Sequence, residues 1–281
     1  MTARALEAIG DPDDPRVVLF RLRDRALLGQ GGARYERPGL FVAEGDLVIE
    51  RALDAGHRLH SVLVDPRRQP AVVARVPDDV PIYTADAELR EKITRLAVQL
   101  DVIALFHRPT ERTDAKALLR QSARLLVLEA VDNPTNLGTI ARTAAALGMD
   151  GILLDPTGAD PLARRAARAS MGAVFSLPIA RIGALVGPGG GIERLHQAGL
   201  TTVALTPDPS TLPIDEMRLP DEARVALMLG SERAGLSPEV LAASRLRVTI
   251  AMHRRNDSLN VAAAAAIACY AVGPSPNRRT T

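Results

Sequence analysis

The sequence predicts an α/β protein in two parts: a smaller N-terminal α/β domain over residues 1–110, and a larger second half built on a mostly parallel sheet covered by helices. Three observations carry that prediction. Segments patterned as strands alternate with segments patterned as helices in both halves. The second half opens on Arg124-Leu125-Leu126-Val127-Leu128-Glu129, the apolar run expected of a strand buried on both faces. A length of 281 residues, 47% hydrophobic and 24% charged, suits one large or two modest domains with enough chain to bury a core.

In the first half, the spacing predicts a helix over 17–28 that carries Arg21, Arg23 and Arg25. Residues 29–39 read as a loop, with glycines, Pro38, Arg34 and Arg37. A strand over 40–43, a helix over 45–56, a strand over 60–65, a helix over 86–96 and a strand over 101–106 follow. The charged stretch 111–122 reads as a linker to a second domain over 123–273, and residues 274–281 as a disordered tail.

In the second half, residues 133–138 read as a loop and 139–147 as a helix stopped by Gly148. A strand over 151–155 and an Arg-rich helix over 161–172 come next, and 174–179 returns towards the sheet. A helix over 192–198 leads to a strand over 201–205. Strands over 225–229 and 247–252 and a final helix over 258–272 complete the pattern.

Composition narrows the function. Aromatic residues make up 2% and Trp is absent, which disfavours a stacking platform for bases. The single cysteine, Cys269, excludes a disulfide framework and a Cys-based zinc site; inside an apolar helix it reads as an inert thiol. No pair of histidines stands at metal spacing, so no metal is expected, and His57 and His60 read as structural. The apolar run 261–272 is too short to span a bilayer, and the N-terminus has no signal-peptide pattern, so the chain reads as soluble and cytoplasmic. The formal charge is only +2, and of 35 basic residues just two, Lys92 and Lys116, are lysines. That arginine bias reflects either phosphate recognition or codon composition, so nucleic-acid binding must be argued from local clusters.

Three segments, each where a strand gives way to a loop or helix, are placed to carry chemistry. The first is Asn133-Pro134-Thr135-Asn136-Leu137-Gly138-Thr139-Ile140-Ala141-Arg142, in which Arg142 leans over the loop or is merely solvated, and Asn136 reads as a helix cap. The second is Leu229-Gly230-Ser231-Glu232-Arg233-Ala234-Gly235-Leu236, a Gly-flanked turn followed by the cap pattern Ser237-Pro238. The third runs from Ile250 through Met252 and His253-Arg254-Arg255 to Ser258-Leu259-Asn260-Val261, with Ser258 or Asp257 capping the last helix. The tract Gly187-Pro188-Gly189-Gly190-Gly191-Ile192 has Ile where a dinucleotide fingerprint needs its third glycine, which disfavours an NAD-dependent oxidoreductase.

Together the three segments resemble the motifs of the SpoU (TrmH-type) RNA 2′-O-ribose methyltransferases of the SPOUT superfamily, in the same order, over about residues 124–272. Residues 41–45 (Phe-Val-Ala-Glu-Gly) resemble, more weakly, the substrate-binding domain that precedes the catalytic domain in that family. The resemblance implies a SPOUT-type trefoil knot in the parallel sheet, a homodimer, S-adenosyl-L-methionine as methyl donor and RNA as partner. It places Gly230, Ile250 and Leu259, with Leu229, Gly235 and Met252, against the donor, and Leu205, Thr206 and Pro207 along its adenosine side. Arg142, Asn133, Glu232, Ser258 and Asn260 become the catalytic surroundings. The chain departs from the family at Ala262, where serine is often found, and at Arg233, where glycine is common.

On this resemblance the reaction is an in-line displacement that needs alignment more than activation. Arg142 holds a phosphate and the 2′-hydroxyl, Asn133 and Asn260 fix loop geometry, and Glu232 positions its loop or Arg142. Arg21, Arg23, Arg25, Arg34, Arg37, Arg164, Arg165 and Arg168 are the candidate RNA phosphate contacts. Ribosomal RNA is the expected substrate; transfer RNA, or a non-catalytic RNA-binding or assembly factor of the same fold, are the alternatives.

Overall fold

A computed structural model describes residues 6–28, 39–68, 70–95, 100–110, 113–220, 222–252 and 258–273. The expected loop at 29–38, the basic residues 253–255, Asp257 and the tail from 274 lie outside the described residues. Contacts divide the chain into two units, Met1–Glu111 with Leu162–Ser176, and Arg112–Pro161 with Leu177–Thr281.

The first unit carries β1 (Leu6–Ala8), α1 (Asp24–Leu27), β2 (Leu40–Glu44), α2 (Asp46–Asp54), β3 (Leu59–Val64), β4 (Ile82–Thr84), α3 (Ala87–Thr94) and β5 (Val102–His107). Its sheet runs β1-β4-β3-β5-β2, with β1, β4 and β3 parallel and β5 antiparallel to both neighbours. Val42, Leu63, Ile103 and Leu105 on one face pack against Val17, Phe20 and Ile93. Where a helix is expected over 17–28 there is a 3₁₀ turn at Val18–Arg21 and then the single turn of α1. Arg23 stands extended between them at ψ 154°, which breaks the helix.

The second unit begins with α4 (Ala115–Gln121), β6 (Arg124–Leu128), α5 (Pro134–Ala146) and β7 (Gly151–Leu154). The chain then contributes α6 (Arg164–Ala169) and α7 (Ala173–Ser176) to the first unit. It returns as β8 (Ile179–Arg181), α8 (Gly191–Gln197), β9 (Leu200–Leu205), β10 (Leu212–Pro213), β11 (Arg224–Leu229), α9 (Pro238–Ala243), β12 (Leu246–Thr249) and α10 (Val261–Val272). The seven strands are all parallel, in the order β10-β12-β9-β11-β6-β7-β8.

Three expectations are corrected. Residues 115–121 are no linker but α4: Leu118 and Leu119 are buried in the same core as Leu125, Val127 and Met228. Residues 134–138 are the start of α5 rather than a loop, because Asn133 caps it by accepting from Thr135 N at 2.9 Å and Pro134 presets the first turn. The segment 162–176 packs with the first unit: Phe175 lies 5.3 Å from Phe41, which stacks on Phe106, and Arg164 pairs with the buried Glu44.

Several arginines serve as internal clamps on backbone carbonyls. Arg224 donates to the carbonyls of Leu119, Arg120, Ser122 and Ala198, closing the C-terminal ends of α4 and α8. Arg124 donates to Val272 O at the end of α10 and to Ala223 O, and Arg181 gathers the carbonyls of Asp155, Pro156, Gly158 and Ala159. A five-donor fork does this where an ammonium could not. In the first unit Arg90 is 4% exposed and donates to Asp65 Oδ2 at 3.0 Å and to Leu100 O. Replacing Asp65 by Ala strands that guanidinium in the interior; we expect a loss of about 3 kcal/mol, read as a lower urea midpoint.

Candidate active site

Parallel register sets the site. Leu229 of β11 pairs with Leu128 of β6, Met228 with Ala204 of β9, and Val248 of β12 with Leu205 of β9. The carboxyl ends of four adjacent strands therefore lie nearly level, and the loops leaving them meet beyond the sheet.

The loop after β11 is the most constrained. A Cβ on Gly230 would fall 1.9 Å from Gly235 C, so only glycine fits. Gly235 takes φ +68° and donates to Ser231 O at 2.9 Å, while Ser231 Oγ accepts from Ala234 N at 3.3 Å. The loop's far end is held by Glu129, just past β6: its carboxylate accepts from Ser237 Oγ at 2.7 Å and Ser237 N at 2.8 Å. Ser237 in turn caps α9, as the Ser-Pro pattern predicts.

These loops enclose a cavity of about 450 Å³. Leu205 lines it from the end of β9 and Thr206 and Pro207 from the loop that follows; Leu229 lines it from the end of β11 and Gly230 and Gly235 from the loop after it. Ile250, Met252, Ser258 and Leu259 contribute from the segment between β12 and α10, and Glu232 and Arg233 complete its polar wall. Every residue expected to face a donor is thus on one cavity, and Ser231, Ala234, Leu236, Leu241, Val261 and Ala264 join them.

Of the expected catalytic set, Glu232 and Ser258 line the cavity and Asn260 touches it through Glu232. Asn260 caps α10, a role expected of Ser258 or Asp257: its Oδ1 accepts from Ala262 N at 2.9 Å. That leaves Nδ2 to donate to Glu232 Oε1 and to Asn136 Oδ1, the latter at 3.4 Å. Asn136, not Asn133, is therefore the asparagine joined to this network, and Asn133 is the helix cap. The signal for Asn136 lay in its position, an amide four and eight residues before Ile140 and Ala144 on the buried face of α5. Glu129 carried a comparable signal as the acid closing an apolar strand. Arg142 stands exposed on α5 outside the cavity lining, its side chain making no hydrogen bond or ion pair to another described residue.

The expected RNA contacts divide. Arg23, Arg25, Arg165 and Arg168 are exposed, and Arg34 and Arg37 lie outside the described residues. Arg21 is turned inward: it pairs with Asp13 at 2.6 Å, and its Nε and Nη2 are buried. Arg164 pairs with Glu44 through Nε, and burial, with Arg168 nearby, lowers it to about 10 against the pull of Asp24. Neither guanidinium is presented to a ligand. His57 lies among Phe41 and Phe175, and burial lowers both His57 and His60, with Arg58 adding to the effect at His60. Cys269 is buried and its thiol is pushed up to about 12. In the Gly187–Ile192 tract, Glu193 already takes the Gly189 N–H at 2.8 Å. Among the described residues no metal-ligand cluster occurs and no helix is long and apolar enough to cross a membrane.

A parallel sheet with its cavity beyond the strands' carboxyl ends is the layout of an α/β enzyme that binds a nucleotide-like molecule. The chain belongs to the SpoU rRNA Methylase family, whose sequence model matches residues 123–270. It is 34% identical over 275 residues to an uncharacterised tRNA/rRNA methyltransferase of Mycobacterium bovis, covering 94% of this chain and 91% of that one. It is 27% identical over 234 residues to the 23S rRNA (guanosine(2553)-2′-O)-methyltransferase RlmP of Bacillus subtilis, covering 82% and 87% of the two chains. The crystal structure of an AdoMet-bound rRNA methyltransferase from Sinorhizobium meliloti matches with a TM-score of 0.74 at 30% identity, covering 95% of this chain and 97% of that one.

The Glu129 carboxylate is the tie between β6 and the cavity loop. Glu129→Ala leaves the Ser237 N–H and hydroxyl without their acceptor; we expect a loss of about 2 kcal/mol. Amide hydrogen exchange should quicken over 230–237 ahead of the sheet.

Proposed function

We propose that this chain transfers a methyl group from S-adenosylmethionine to a ribose 2′-oxygen of ribosomal RNA. The observation that carries the reading is the cavity on which three separate loops converge, tied to α5 through Glu232, Asn260 and Asn136. The family supports it, as do the AdoMet-bound neighbour and the 2′-O-methylating relative. That relative acts on 23S rRNA, which favours ribosomal over transfer RNA.

The residues present fit the donor. The cavity volume falls in the range of roughly 300–1,000 Å³ usual for small-molecule sites. Leu229, Leu236 and Ile250 offer apolar surface to a nucleoside, the backbone of 205–207 and 230–235 offers hydrogen-bonding groups, and Glu232 offers a negative charge to a cation. S-adenosylmethionine supplies a methyl group already activated by its positively charged sulfur.

The chain's own task is then alignment and removal of the hydroxyl proton. Arg142 holds a backbone phosphate and the 2′-hydroxyl in one orientation. A guanidinium is a poor general base, so the 2′-hydroxyl proton passes to a neighbouring phosphate or water. Asn260 and Asn136 hold Glu232 in place, and Glu232 holds the loop against the donor. The first unit binds the RNA substrate, and the exposed Arg23, Arg25, Arg165 and Arg168 contact phosphates without reading sequence.

The proposal includes the family's trefoil knot, a cytoplasmic site of action and a homodimer. Ile267 at 42% and Tyr270 at 78% exposure put apolar surface on the outer side of α10, which supports a second copy docking there.

Arg142→Ala should lower methyl transfer to a 23S rRNA transcript at least 100-fold while S-adenosylmethionine binding, measured by calorimetry, stays within twofold; near-normal transfer would remove Arg142 from the mechanism. An Ile267→Asp/Tyr270→Glu double variant should sediment as a monomer where the parent sediments as a dimer.

A further inference from the structure

We infer that Arg233 grips a phosphate of the RNA beside the target ribose and so positions the substrate at the cavity mouth. The inference rests on the methyltransferase reading above. Two charged side chains, Glu232 and Arg233, line the cavity among the described residues. The Glu232 carboxylate is engaged by the Asn260 amide. Arg233 is exposed and makes no hydrogen bond or ion pair with any other described residue.

Its backbone, by contrast, is fixed. The Gly230–Gly235 approach leaves no room for a Cβ, and Ser231 ties both the Ala234 and Gly235 amides. A five-donor fork is thus anchored to a rigid loop with its donors open. A permanent cation on the wall of a cavity that takes a cationic donor is repulsive unless an anion comes between them. RNA brings one, because each internal ribose lies between two phosphates. Bidentate guanidinium–phosphate bonds then convert the repulsion into orientation. Arg142 lies outside the cavity lining, so the cavity wall itself draws its cation from Arg233.

The test uses the full chain, tritiated S-adenosylmethionine, and unmodified 23S rRNA and tRNA transcripts. For Arg233→Ala we expect KM for the RNA to rise about tenfold and S-adenosylmethionine affinity by calorimetry to stay within twofold. The slope of log affinity against log salt should fall by about one. Arg233→Lys should restore the salt slope but recover KM only in part, since an ammonium lacks the fork. If Arg233→Ala weakens S-adenosylmethionine tenfold and leaves KM for RNA unchanged, the guanidinium holds the donor's carboxylate and the inference falls. It falls too if neither quantity moves. A parent chain that binds no S-adenosylmethionine and methylates neither transcript overturns the functional reading itself, a result separable from both.

Discussion

A primary amide has one oxygen and one nitrogen, and at Asn260 both are committed. The oxygen closes the first turn of α10, so the nitrogen must face Glu232 and Asn136. Turning the amide over would set its NH2 against the Ala262 N–H and its oxygen against a carboxylate, losing every bond at once. One side chain thereby fixes the α10 terminus, the inner face of α5 and the loop after β11 with respect to one another. The level carboxyl ends of β12, β9, β11 and β6 bring these pieces close enough for one amide to span them.

The long buried strands β6 and β11 were legible because burial on both faces demands continuous apolar runs. The short strands were not: β1, β4 and β10 span two or three residues each, and their pairing depends on neighbours remote in sequence. The start of α5 was misread because Asn133-Pro134-Thr135 has the composition of a turn, and the same residues serve equally well as a cap and first turn. The pattern over 111–122 hid α4 because its charges outnumber the two leucines that enter the core.

Of the candidate site, the segments were legible and the connections between them were not. The loop after β11 is recognisable from its glycine spacing and flanking strand, while the cavity residues after β9 and β12 were marked by the family resemblance. Glu129 and Asn136 act through partners 108 and 124 residues away, a distance no local pattern crosses. Arg21 and Arg164 illustrate the same limit from the opposite side. In sequence they belong to basic clusters, and only the positions of Asp13 and Glu44 show that their charges are already answered.

The carbonyl clamps of Arg224, Arg124 and Arg181 bear on how such a protein meets nucleic acid. A composition of 35 basic residues suggests a broad positive halo, yet these guanidinium groups point into the protein's own backbone. These forks keep their charge but offer RNA no free donors, and the 33 acids leave the chain at only +2, so strands of RNA passing at a distance feel a weak pull. Encounters are then governed less by long-range capture than by a few forks at short reach, which lets an ill-fitting transcript drift away before it is held.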